Sequence, residues 1–301
     1  VCVLQAAIAP VHAGNIPAQV TGKPVCADIQ QRYHNRAGQH NFRELNFMLF
    51  DGSARNCIDL MAKVIADGAT VTARDRFGNA ALSIAARSGH VGAVKFLLGK
   101  GADIGHLNLA GSSSLLRAVT ANRRKVAKVL LDAGADPNKA NTKKISPLVA
   151  ASYNGNRRLV KMLLKAGADP QLVDASGKGP AIYAAGKGYT DILKLLLDEG
   201  ADPNHIYGNG MTMLMWAAGH SNDVPVGEGV TAVRLLLDRG AKLNLADNRG
   251  RTALMIAAER NHPEIANILL AAGADAKIKD KDGKSAIHLA ASDDVRAVLE
   301  N

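Results

Sequence analysis

The chain has 301 residues, is 47% hydrophobic but only 4% aromatic, and carries 37 Lys and Arg against 27 Asp and Glu, a formal charge of +10. That length admits one large or two ordinary domains. The scarcity of aromatic side chains argues against one thick core, whereas abundant Ala, Leu and Gly suit thin layers of closely packed helices. The basic surplus favours an acidic protein, a nucleic acid or an anionic polymer as partner, or serves solubility alone. Its spread along the chain excludes a concentrated nucleic-acid arm, since Arg123-Arg124-Lys125 and Lys143-Lys144 are short runs.

Residues Val1 to Val20 contain no charged side chain. Val1 to Ala9 resembles the end of an apolar export-signal core, and Val11-His12-Ala13 places small residues where a signal peptidase needs them. Residues 1–13 therefore read as a signal-peptide remnant, with a flexible apolar arm or a strand covering the array's end as the competing reading. Residues 14–40 read as an N-terminal arm. Export would place the chain in the periplasm or outside the cell; otherwise it is cytoplasmic. Cleavage after Ala13 removes Cys2 and leaves Cys26 and Cys57 as a pair. They are either a disulfide pinning the arm to the first helices, as an oxidising compartment permits, or two unrelated thiols. With no CxxC, they are not expected to bind a metal. No other segment is long and apolar enough to span a bilayer.

A Gly-Ala pair recurs at Gly68, Gly101, Gly134, Gly167, Gly200, Gly240 and Gly273, at intervals of 33, 33, 33, 33, 40 and 33 residues. Such regularity means a stacked repeat. Apolar triplets such as Met162-Leu163-Leu164 and Leu195-Leu196-Leu197 precede the glycine, which ends a helix by entering the left-handed region. A second glycine follows at Gly78, Gly111, Gly177, Gly210, Gly250 and Gly283, usually three residues after Asp75, Asn108, Asp174, Asp247 or Asp280. That spacing marks a tight turn. A short helix then ends in small pairs, including Ala85-Ala86, Ala184-Ala185 and Ala257-Ala258, so that neighbouring helices can approach closely. Gly89, Gly155, Gly188 or Asn261 reverses the chain into a longer helix.

This grammar, with Ser146-Pro147-Leu148, Thr252-Ala253-Leu254, Ser285-Ala286-Ile287-His288-Leu289-Ala290-Ala291 and Arg87-Ser88-Gly89-His90, resembles the ankyrin-repeat family. The resemblance covers roughly residues 41–301. It implies an all-α solenoid of helix-turn-helix units with short hairpin-like connecting turns. Residues 41–68 form an irregular N-terminal cap, and Asp293, Asp294, Arg296 and Glu300 form a polar C-terminal cap. The 40-residue interval implies an insertion near 221–229 that protrudes between two helices, a place where scaffolds often carry function.

The resemblance further implies a non-enzymatic scaffold that binds a protein through its concave face; the alternatives are an exported effector acting on a host protein and a binder of an anionic non-protein ligand, and the chain is expected to be a monomer. Turn-tip candidates are Arg74, Arg76, Phe77, Leu109, Lys143, Lys178, Asn209, Met211, Arg249 and Arg251; first-helix candidates are Arg87, Tyr153, Lys187 and His220. Arginines beside aromatic and apolar side chains form typical interface hot spots, and their charge favours an acidic protein partner. Nucleic acid and small-molecule substrates are not expected. Met211, Met213, Met215, Trp216 and His220 invite a copper reading, but Met213 and Met215 stand where the family has Pro and His, and Trp216 reads as a core leucine position, so packing accounts for them. Hydrolase, zinc-protease and phosphate-loop motifs are absent, and the recurring acids belong to turns. No catalytic residue, metal or cofactor is expected.

Overall fold

The computed structural model describes residues 25–36, 38–220 and 225–300. The residues read as a signal-peptide remnant, 1–13, lie outside them. Helix α1 (Ala27–His34) leads into α2 (Phe42–Arg55) and α3 (Ile58–Ala66). Short and long helices then alternate as α4 (Ala81–Ser88) and α5 (Val91–Gly99), α6 (Ser114–Thr120) and α7 (Arg124–Asp132), α8 (Pro147–Tyr153) and α9 (Arg157–Lys165). The series continues through α10 (Pro180–Gly186) and α11 (Thr190–Asp198), α12 (Met213–Ala218) and α13 (Val226–Asp238), α14 (Ala253–Glu259) and α15 (Pro263–Ala271). A 3-10 turn at Ala286–Leu289 and α16 (Asp293–Glu300) complete the array.

Four of the six short helices start where the sequence supplies a side-chain cap, and α4 and α10 start at Ala80 and Gly179 without one. Ser113, Ser146, Thr212 and Thr252 accept from the amides of Leu116, Val149, Met215 and Met255 at 3.1, 3.2, 3.3 and 3.4 Å, satisfying donors that a helix start leaves open. Long helices end in a glycine turn: Gly167 adopts φ 84°, and the following Ala168 amide returns to the Leu163 carbonyl at 3.0 Å. A side chain with a Cβ is disfavoured in that conformation.

The period fixes the core. Leu97, Leu130, Leu163, Leu196, Leu236 and Leu269 occupy equivalent places in the long helices, and all are fully buried. The alanine pairs of the short helices are equally buried. Because alanine keeps their axes near, short helices of neighbouring repeats touch more extensively than long ones. The short-helix row is therefore the tighter one, and unequal spacing of the two rows favours a bend with short helices and turn tips on the hollow side.

The tips are tied to each other. Within a tip, the Asp75 carboxylate accepts the amides of Phe77 and Asn79 at 2.8 Å each; Asn108, Asn141, Asp174, Asp247 and Asp280 do the same in their repeats. Between tips, amides of Leu109, Thr142 and Ala175 donate to carbonyls of Phe77, Ala110 and Lys143 at 3.0, 3.1 and 2.9 Å. Further on, Asn248 and Lys281 donate to Asn209 and Arg249 at 3.0 and 2.9 Å. One rung departs from this register: Gly208 donates to Gly177 instead of Ser176. A Cβ at Gly208 would lie 2.7 Å from the Ser176 carbonyl oxygen, so this crossing requires glycine. It adjoins Tyr207, which replaces the usual Asp, and whose buried hydroxyl has no hydrogen-bond partner.

Two expectations about segments are refined. The arm assigned to 14–40 includes α1, which packs against the cap through buried Ile29 and Tyr33. Cys26 and Cys57 are joined by a disulfide, their Cα atoms 5.7 Å apart. Tyr33 also donates to Asp67 at 2.6 Å. The expected protruding insertion at 221–229 is partly helical instead. Helix α13 has 13 residues where α11 and α15 have 9, so residues 226–229 form its first turn. Pro225 at the N-cap and Glu228 near the positive end of the helix favour that start; residues 221–224 lie outside the described residues.

Candidate protein-binding face

Arg74, Arg76, Phe77, Arg87, Leu109, Lys143, Asn209 and Arg249 are exposed. The Arg76 guanidinium stands 4.8 Å from the Phe77 ring centre. Tyr153, Lys178, Lys187, Met211 and Arg251 are half-buried. Arg251 is already engaged by Asp247 at 2.9 Å and Glu259 at 2.8 Å, leaving it a poorer partner contact than its sequence position suggested.

His220 is corrected outright. It is 2% exposed and stacks on His262 with ring centres 4.2 Å apart. Gly229 makes this possible, since a Cβ there would lie 2.4 Å from the His220 ring. Burial lowers the pKa of both imidazoles below the ordinary value, and their mutual repulsion adds to the effect at His220.

Three of these half-buried residues, Tyr153, Lys178 and Lys187, form one cluster with Tyr183 and Trp216 on the hollow side. Tyr153 meets Tyr183 edge-on, with centroids 5.4 Å apart. Lys187 lies 4.4 Å above Tyr153, and Lys178 lies 4.7 Å from the Trp216 ring centre. Tyr183 donates its hydroxyl to Asp174 at 2.5 Å. Burial, then this hydrogen bond and the carboxylate charge, push the phenol pKa far up, so Tyr183 stays neutral. The carboxylate that closes the turn thus also fixes the ring against which Lys178 rests. Cations over aromatic faces are attracted by the ring quadrupole while their stems cover apolar surface.

Trp216 is not a core leucine position. Leu214 takes that place at 1% exposure, while Trp216 is half-buried and part of the cluster. Its ring rests on Gly186 of the preceding repeat, where a Cβ would lie 3.1 Å from Cε3. Met213 and Met215 are buried as packing residues. Sequence reading also missed Tyr183 and Arg117. Arg117, Ala150, Tyr183 and Trp216 recur at the 33-residue period, so aligning repeats would have exposed this variable row. Arg117 donates to the Ser83 carbonyl at 3.1 Å and to Asn79 Oδ1. Burial, reinforced by repulsion from Arg87, lowers its pKa to about 10, which still leaves it a cation near neutrality.

Two ankyrin-repeat family models match. The one described as ankyrin repeats (3 copies) covers residues 49–141 and 148–247, and the one described as ankyrin repeats (many copies) covers 232–290. None of the curated proteins compared matches the chain. The matched segments span most of the array and coincide with the repeats seen in the fold; the chain belongs to the ankyrin-repeat family.

Proposed function

We propose that the chain is a non-enzymatic scaffold that binds a protein carrying acidic groups along the hollow side, centred on Tyr153, Lys178, Lys187 and Trp216. The aromatic-cation cluster carries this reading: it is half-exposed, pre-positioned by Asp174, and stands near the middle of the repeat series. Rings held in one orientation lose little conformational freedom on binding, and partner carboxylates find lysines already placed. Family membership supports a protein partner in general terms. The disulfide supports residence in an oxidising compartment, the periplasm or the exterior.

The test is Lys178→Glu/Lys187→Glu, compared with the parent chain in affinity capture from the native source followed by quantitative mass spectrometry. A protein retained by the parent should fall by about 30-fold or more with the variant, corresponding to a loss of roughly 2 kcal/mol at a hot spot. Thermal melting is measured in parallel. Equal retention by parent and variant, with unchanged melting, refutes the reading.

A further inference from the structure

The loops joining short to long helices lie at the opposite end of the short helices from the turn tips. Across three successive repeats these loops enclose an open groove of about 460 Å³. Arg123, Arg124, Lys125 and Arg158 line it with Asn122 and Asn156, and its lining contains no acidic residue. All four cations are exposed. Gly89 leaves room for the Arg123 side chain, as a Cβ there would lie 2.7 Å from Arg123 Cδ. Arg123 Nε donates to the Arg87 carbonyl at 3.0 Å, which anchors one edge of that guanidinium. Asn156 binds Asn122 and also accepts the Leu159 amide at 3.0 Å, holding two of the loops together.

The surrounding helices deepen the positive potential. Helix α7 carries Arg124, Lys125 and Lys128 against Asp132 alone, and Lys128 pairs with that acid at 2.8 Å. Helix α9 carries Arg157, Arg158, Lys161 and Lys165 with no acid; Arg157 pairs with Asp191 at 3.3 Å. No carboxylate among the described residues forms an ion pair with Arg124, Lys125 or Arg158. Like charges gathered this way repel one another and attract a counter-charge.

From this geometry we propose a second binding site, distinct from the hollow side, that takes a small polyvalent phosphate anion. Three of the four cations are arginines, whose planar forks match phosphate oxygens in pairs. Four positive charges in one groove call for several negative charges in the ligand. The groove volume lies in the range of small-ligand sites and is far too small to seat a folded protein.

Inorganic tripolyphosphate is the probe, titrated calorimetrically into the full chain at low salt. Saturable one-to-one binding is expected, weakened when salt is raised and reduced at least tenfold by Arg124→Gln/Lys125→Gln/Arg158→Gln. The hollow-side variant Lys178→Glu/Lys187→Glu should bind as the parent does, which separates this site from the proposed protein-binding face. Pyrophosphate should bind more weakly than tripolyphosphate. Equal affinity of parent and groove variant overturns the site, as does an absence of saturable binding. Affinity confined to duplex DNA or to anionic vesicles, without tripolyphosphate binding, overturns it too.

Discussion

Removing the Cys26–Cys57 bond tests how the N-terminal end is held. The bond closes a segment of 31 residues, for which the chain-entropy relation gives about 12 cal/mol/K, or about 3.7 kcal/mol at 25 °C. Without it, α1 depends on the burial of Ile29 and Tyr33 and on the Tyr33–Asp67 hydrogen bond. In a serial array each unit leans only on its neighbours, so the loss should concentrate in the cap. For Cys26→Ala/Cys57→Ala, urea unfolding followed by hydrogen exchange should show destabilisation of residues 27–66 by about 3–4 kcal/mol. Exchange in α14 and α15 should remain near its original rate. Unchanged stability of the cap, or an equal loss throughout the chain, would refute this reasoning.

Leu163→Ala opens a cavity in a fully buried position of α9 and should cost about 2–5 kcal/mol in denaturant unfolding; a loss below about 1 kcal/mol would mean that the interface closes around the missing atoms. The His220–His262 stack should make stability fall on acidification. Both folded-state pKa values lie below the ordinary 6.5, so below that pH the unfolded chain binds protons that the folded stack resists, and stability present above 6.5 is progressively lost. Arg260 opposes protonation of His262 further. His220→Gln/His262→Gln should flatten the dependence between pH 7.5 and 5.5, and an unaltered slope in urea titrations would discount the stack.

The repeating parts were legible because one physical demand recurs at one interval. Each repeat's long helix buries a leucine such as Leu163, and every turn tip but the one at Tyr207 is closed by an acceptor such as Asp174, so period and role coincide. Residues whose role depends on a neighbour were not legible in the same way. Trp216 is half-exposed because Gly186 gives its ring a seat, and His220 is buried because Gly229 and His262 close over it. The extra residues around Val226 read as a loop because the repeat grammar has no place for a longer helix; their winding into α13 follows from Pro225 and Glu228 instead. The basic groove was overlooked because Arg158 is far from Arg123 in sequence and meets it only through stacking.

The amide-to-carbonyl rungs linking the turn tips have a metric consequence. They set the increment between successive side chains at the rim, giving the surface a graduated scale along which a long ligand would have to match its own spacing. The rung displaced from Ser176 to Gly177 is an offset mark on that scale. A visitor extending across it would meet the contacts on either side at an altered phase, so selectivity there depends on the ligand's stride as well as its charge.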